Sequence, residues 1–98
     1  MNLFKRDKTD FAKLLKEGAV ILDVRSPSEF QSGHLPGAIN VPVDQLKKHL
    51  IKFPDKQVPL ITCCASGMRS AAAAEALRVA GYMNVYNGGG WTSLKNKI

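Results

Sequence analysis

Short apolar runs recur along the chain, and they lack the strict alternation of a strand with one solvent-exposed face. Residues 19–24 read Ala-Val-Ile-Leu-Asp-Val, an almost continuous apolar sequence. Such runs are typical of parallel strands that are covered on both faces. The predicted strands are residues 19–24, 38–41, 58–63 and 83–86. The glycine-rich residues 87–90 are predicted to form a turn after the last of them.

Helical spacing of apolar residues occupies the segments between these runs. Residues 10–17 have a leucine-rich apolar face, with Thr9 or Asp10 as the predicted N-cap. The other predicted helical segments are residues 27–31, 43–50, 70–80 and 91–94. Strands that alternate with helices predict an α/β fold, in which helices cover a parallel sheet on both faces.

One loop combines a cysteine, a glycine and an arginine between a predicted strand and a predicted helix. Residues 64–70 read Cys-Ala-Ser-Gly-Met-Arg-Ser. Such a loop can direct its backbone N–H groups, and those of the first helical turn, toward one point, which creates an anion-binding site. If the sulfur of Cys64 lies there, the amides, the helix end and Arg69 all favour its thiolate. Cys64 is therefore the candidate nucleophile.

A structural role for Cys64 is the alternative, because a lone cysteine commonly serves as a small buried hydrophobic residue. The presence of Gly67, Arg69 and Ser70 in the same loop favours the catalytic interpretation.

Size and composition indicate an ordinary globular protein. The 98 residues are 45% hydrophobic and 22% charged, which fits one domain over residues 1–98. No apolar run is long enough to cross a bilayer. The charged residues 1–8 are followed by no apolar segment typical of a signal peptide, so we expect a cytoplasmic protein. Cys63 and Cys64 have no Cys or His at zinc-ligand spacing, and we expect no metal or other cofactor.

The net charge of +6 raises the question of a nucleic-acid or membrane partner. The basic residues are scattered in small groups and have no interleaved aromatic residues, so we expect neither partner. A positive surface would instead raise the rate of encounter with anionic substrates.

Four motifs along the chain occur together in one known family. They are Cys64-x-x-Gly67-x-Arg69-Ser70, Leu22-Asp23-Val24-Arg25 with Glu29-Phe30, the sequence Gly-His-Leu-Pro-Gly-Ala-Ile-Asn at residues 33–40, and Gly88-Gly89-Gly90-Trp91. In this order and spacing, the chain resembles the single-domain rhodaneses from about Val20 to Leu94. The resemblance implies a three-layer sandwich whose central, mostly parallel sheet has about five short strands.

The same resemblance implies a sulfurtransferase. Cys64 would take sulfane sulfur from a donor such as thiosulfate, hold it as a persulfide, and pass it to cyanide, to a thiol or to a sulfur-relay protein. The predicted loop that binds the persulfide consists of Ala65, Ser66, Gly67, Met68, Arg69 and Ser70. Related phosphatase and arsenate-reductase loops are one residue longer between Cys and Arg, so this loop favours sulfane sulfur over phosphate.

Supporting roles are expected for several other residues. Arg69 either orients the sulfonate end of the donor or fixes the loop to neighbouring carboxylates. Ser70 is predicted to be the N-cap or a first-turn residue of its helix. Its hydroxyl could also reach the sulfur, but the capping role is preferred. Asp23 and Arg25 are expected to form a buried ion pair or to support the loop.

Four further residues are expected to be structural. Glu29 would brace a loop, and His34 would form a hydrogen bond with a backbone group. Trp91 would pack over the end of the sheet. Cys63 should point to the face opposite Cys64 and be inert.

Two features leave the function open. Rhodaneses that use thiosulfate well have basic residues where this chain has Ser66 and Ser28-Glu29, so another protein's persulfide could be the donor. The second feature is the fold itself: fold alone does not decide function, so the alternative is a non-catalytic binding module.

Overall fold

The computed structural model describes residues 9–98. Its strands are β1 (Val20–Asp23), β2 (Ile39–Asn40), β3 (Leu60–Cys64) and β4 (Val85–Gly90). They form one sheet in the order β2-β1-β3-β4, and every neighbouring pair is parallel. Within the described residues the sheet thus has four strands, where about five were expected from the family resemblance. Residues 1–8, on which the prediction of no signal peptide rests, lie outside the described part.

Helices connect the strands and cover both faces of the sheet. They are α1 (Phe11–Lys16), α2 (Pro27–Gln31), α3 (Leu46–His49), α4 (Met68–Val79) and α5 (Trp91–Lys95). Short 3-10 turns, Val43–Gln45 and Leu50–Lys52, flank α3. The predicted helix over 43–50 is therefore interrupted, although its apolar face packs against the core as expected. None of the helices described is long and apolar enough to cross a membrane.

Two hydrophobic clusters lie on opposite faces of the sheet. One contains Leu22, Leu60 and Cys64 from the strands together with Ala73 and Leu77 of α4. The small alanine side chains let this helix approach the sheet closely. The other cluster is formed by buried residues of α1, α5, the remaining strand positions and the loop between α2 and β2: Phe11, Ile21, Leu35, Ile61, Cys63 and Leu94. This arrangement confirms the predicted three-layer sandwich.

The boundaries of β4 differ from those predicted. We expected a strand over 83–86 followed by a glycine turn, but the strand continues to Gly90 and pairs with β3. Gly88 permits this pairing, because a Cβ there would lie 2.8 Å from the carbonyl oxygen of Thr62. Real Cβ atoms do not approach backbone oxygen that closely, so only glycine fits beside β3 at this position.

Candidate active site

The loop that begins at Cys64 places backbone N–H groups around the cysteine sulfur. Cys64 is the last residue of β3, and α4 begins only four residues later at Met68. Gly67, the N-cap of α4, has a φ of +106°, a conformation that residues with a Cβ rarely adopt. The N–H groups of Gly67 and Ser70 donate to the Sγ of Cys64 at 2.9 and 3.3 Å. The side chain of Cys64 is fully buried.

These hydrogen bonds stabilise the thiolate of Cys64 more than burial destabilises it. Burial alone raises the pKa of this thiol, because a charged sulfur is better solvated by water. Hydrogen bonds from the hydroxyl and N–H of Ser70 and from the N–H groups of Gly67 and Ser66 have the opposite effect. Together they lower the pKa of Cys64 below the ordinary thiol value, as expected for a reactive cysteine.

Ser70 lies in the first turn of α4, one of the two positions predicted for it, and it is not the N-cap. The cap is Gly67, because its left-handed backbone already turns the chain into the helix. The hydroxyl of Ser70 lies 3.0 Å from the carbonyl oxygen of Gly67 and 2.7 Å from the Oδ1 of Asn87. The hydroxyl has a single proton, so it cannot donate to these two oxygens and to the Cys64 sulfur at the same time. The backbone N–H groups are therefore the fixed part of the sulfur's environment.

Asn87 belongs to this site, although the sequence had placed it in a turn. Its Oδ1 accepts from the Ser70 hydroxyl and from the N–H of Gly89, at 2.7 and 2.9 Å. In the sequence, the only indication of this role is that Asn87 stands directly before the glycines at 88–90.

Cys63 points into the opposite hydrophobic cluster, as predicted from the alternation of side chains along a strand. Burial, and after it the negative charge of Asp23, raise the pKa of Cys63 to about 12. Both cysteines are free thiols. Cys63 therefore stays protonated at neutral pH, whereas the pKa of Cys64 is shifted in the opposite direction.

Asp23 and Arg25 form a buried ion pair next to the loop, as predicted. The Nε and Nη2 of Arg25 donate to the carboxylate of Asp23 at 2.9 and 2.7 Å. Nη2 also donates to the carbonyl oxygen of Gly33 at 2.7 Å, and the guanidinium lies 4.8 Å from the ring centroid of Trp91. The pair thus ties the end of β1 to α5 and to the segment after α2.

Glu29 and Arg69 form a second ion pair at the surface of the site. Nη1 and Nη2 of Arg69 donate to the two carboxylate oxygens of Glu29 at 2.7 and 3.0 Å. Glu29 also accepts from the N–H of Ser26 as part of the capping box of α2. The Arg69 guanidinium holds the pKa of Glu29 at about 2. Of the two roles considered for Arg69, the contacts match the one in which it fixes the loop to a carboxylate.

His34 contacts backbone, as predicted: its Nδ1 lies 2.7 Å from the carbonyl oxygen of Phe30. Its ring also stacks on that of Phe30, with the centroids 3.6 Å apart.

A cleft of about 210 Å³ opens beside Arg69 at the carboxyl edge of the sheet. Its lining combines apolar residues with a few polar ones: Val24, Ser26, Pro27, Pro42, Val43, Asp44, Gln45 and Arg69. This is the edge at which ligands bind in open α/β sheets. The charged groups in the lining are Arg69 and Asp44, which carry opposite charges.

Residues 7–97 match the model of the rhodanese-like domain. The chain therefore belongs to the rhodanese-like domain family, which confirms the resemblance inferred from its four motifs.

Relatives with this domain include named sulfurtransferases. The thiosulfate sulfurtransferase PspE of Escherichia coli (strain K12) is 39% identical over 70 residues, which are 70% of this chain and 67% of the relative. The protein YqhL of Bacillus subtilis (strain 168), which is uncharacterized, is 38% identical over 81 residues; the match spans 82% of this chain but only 64% of YqhL. The structure of the human single-domain sulfurtransferase TSTD1 superimposes with a TM-score of 0.78 at 30% identity, covering 90% of this chain and 91% of the other. These likenesses support sulfurtransferase activity in general.

Proposed function

We propose that this protein is a sulfurtransferase in which Cys64 carries sulfane sulfur as a persulfide. The observation that carries the proposal is the pair of N–H groups, from Gly67 and Ser70, that donate to the Sγ of Cys64. The same groups can stabilise the terminal sulfur of a persulfide anion. We assign the reaction to one domain over residues 1–98, working in the cytoplasm, where reducing conditions keep both cysteines free.

In the first half-reaction the Cys64 thiolate attacks the outer sulfur of a donor such as thiosulfate. A bond forms between the two sulfur atoms, the sulfur–sulfur bond of thiosulfate breaks, and sulfite leaves with the bonding electron pair. The product is the persulfide anion Cys64–S–S⁻. Because Cys64 is fully buried, the loop around it has to open before a donor can reach its sulfur.

In the second half-reaction an acceptor attacks the outer sulfur of the persulfide. Cyanide would leave as thiocyanate, and a thiolate would leave as a new persulfide. In both cases the electron pair of the broken bond returns to the Cys64 sulfur, which regenerates the thiolate. Neither transfer, as written, requires a proton donor.

Two other functions compete with this proposal. A non-catalytic binding module, or a sulfur-relay module that receives its sulfur from another protein, would keep the same frame. The lowered pKa of Cys64 favours a reactive cysteine over an inert one. A phosphatase is disfavoured by the short spacing of four residues between Cys64 and Arg69.

Mass spectrometry of the reduced protein after treatment with thiosulfate tests the proposal. We expect one added sulfur on the wild type and on Cys63→Ala, and none on Cys64→Ser. Cys63→Ala is the matched control, since it removes a neighbouring thiol that faces the other cluster. An unmodified wild type, or a sulfur that persists in Cys64→Ser, would refute the assignment.

A further inference from the structure

Arg69 is the positively charged group of the loop that surrounds Cys64, yet its charge is already matched. Both terminal nitrogens of its guanidinium are bonded to Glu29, at 2.7 and 3.0 Å. This bidentate pair uses two of the five N–H donors of the guanidinium, and the carboxylate offsets its positive charge. The two side chains are 39% and 37% exposed, so the pair faces solvent beside the cleft that Arg69 lines.

The surroundings of Arg69 add no further positive charge. The adjoining cleft contributes one carboxylate, Asp44, and walls formed by Val24, Pro42 and Val43. With Glu29 included, this region carries more negative than positive charge, although the whole chain has a net charge of +6. Among the described residues that line this cleft, thiosulfate, which bears two negative charges, therefore meets no cation without a counterion.

We propose that Glu29 determines donor specificity by neutralising Arg69, which disfavours doubly charged donors such as thiosulfate relative to organic persulfides with one charge or none. The inference rests on the proposed function and adds to it the class of donor and the residue that selects it. Glu29 acts here through Arg69 and does not touch the reacting sulfur.

Glu29→Gln tests this role with little disturbance of the fold. A glutamine keeps the shape of the side chain and can still accept from the N–H of Ser26, because capping boxes use Glu or Gln at this position. Glu75→Gln is the matched control, since it removes the same charge from an α4 side chain that is 71% exposed.

Persulfide formation from thiosulfate should be about 3- to 10-fold faster in Glu29→Gln than in the wild type at low ionic strength, and the gain should shrink in salt. The rate with an uncharged organic persulfide reports any change in loop opening, so the thiosulfate rate should rise relative to it, and Glu75→Gln should match the wild type with both donors. Equal thiosulfate rates in Glu29→Gln and Glu75→Gln would overturn the specificity role.

A second measurement separates this inference from the proposed function, because it involves no sulfur transfer. Cys64 is alkylated with anionic iodoacetate and with neutral iodoacetamide, and the ratio of the two rates cancels any change in loop opening. The ratio should rise about 3-fold in Glu29→Gln. It should fall below the wild-type value in Arg69→Gln, where Glu29 is left unpaired.

If Glu29 merely braced the loop, both alkylation rates would change together and the ratio would stay constant, which would overturn the inference. If the ratio shifts as expected but the wild type takes no sulfur from any donor, the charge selection at Cys64 holds while the sulfurtransferase assignment fails.

Discussion

Gly67 is the residue on which the convergence of amides at Cys64 depends most directly. Its φ of +106° is sterically open only to glycine, yet a Cβ there would meet no atom closer than 3.7 Å. Gly67→Ala therefore strains the backbone without a clash, at a cost of about 1–3 kcal/mol. The loop can relieve this strain by turning its N–H groups away from the sulfur. We expect persulfide formation to be lost while the protein stays folded.

Gly81→Ala is the control for that substitution. Gly81 has a φ of +102° and open space around it, and it lies beyond the other end of α4. Urea denaturation should give similar losses of stability for the two variants, while thiosulfate treatment should add sulfur only to Gly81→Ala. Full persulfide formation in Gly67→Ala would contradict the role of the loop amides.

The hydroxyl of Ser70 makes a separate prediction about pH. Reactivity of Cys64 depends on its thiolate, so the rate of alkylation by iodoacetamide should rise with pH through the pKa of Cys64, with a midpoint lower than that of an unperturbed thiol. Ser70→Ala removes one of the hydrogen bonds that lower this pKa, so the midpoint should move to higher pH. Ser93→Ala, an exposed position on α5, should leave it unchanged. An unshifted midpoint in Ser70→Ala would mean that the hydroxyl bonds Asn87 and not the sulfur.

Among the elements, those with local signals were predictable from sequence. Ser26, Pro27 and Glu29 form a complete helix-start signal within four positions, and α2 begins at Pro27 as predicted. Apolar runs likewise located β1 and β3 to within two residues.

The end of β4 was misplaced because a contact distant in sequence decides it, and the start of α4 was misplaced by two residues because the left-handed Gly67 caps the helix. The approach of Gly88 to Thr62 extends the strand into the expected turn, and no local pattern reports that approach. Contacts between residues distant in sequence were also missed within the site. Cys64 and the amides after it could be inferred from one loop, whereas the pairing of Glu29 with Arg69 joins residues 40 positions apart.

For the molecule as a whole, the buried Asp23–Arg25 pair is the interaction whose loss should cost the most stability. The Asp23 side chain is fully buried and accepts from Nε and Nη2 of Arg25 and from its backbone N–H. Asp23→Asn would leave the Arg25 charge buried without a counterion, which typically costs about 3–5 kcal/mol. The free energy of unfolding of a typical domain is only about 5–15 kcal/mol. Asp23→Asn should therefore remove a large fraction of the stability.

Urea denaturation of Asp23→Asn, followed by the fluorescence of Trp91, measures this loss. Trp91 is a suitable probe because Arg25 lies over its ring, so the signal reports the region that the pair holds together. Glu75→Gln breaks a solvent-exposed pair, 3.8 Å from Arg78, and should leave the unfolding midpoint unchanged, because exposed pairs contribute little. If Asp23→Asn unfolded at the same urea concentration as Glu75→Gln, the buried ion pair would contribute no more to stability than the exposed one. The prediction would then be wrong.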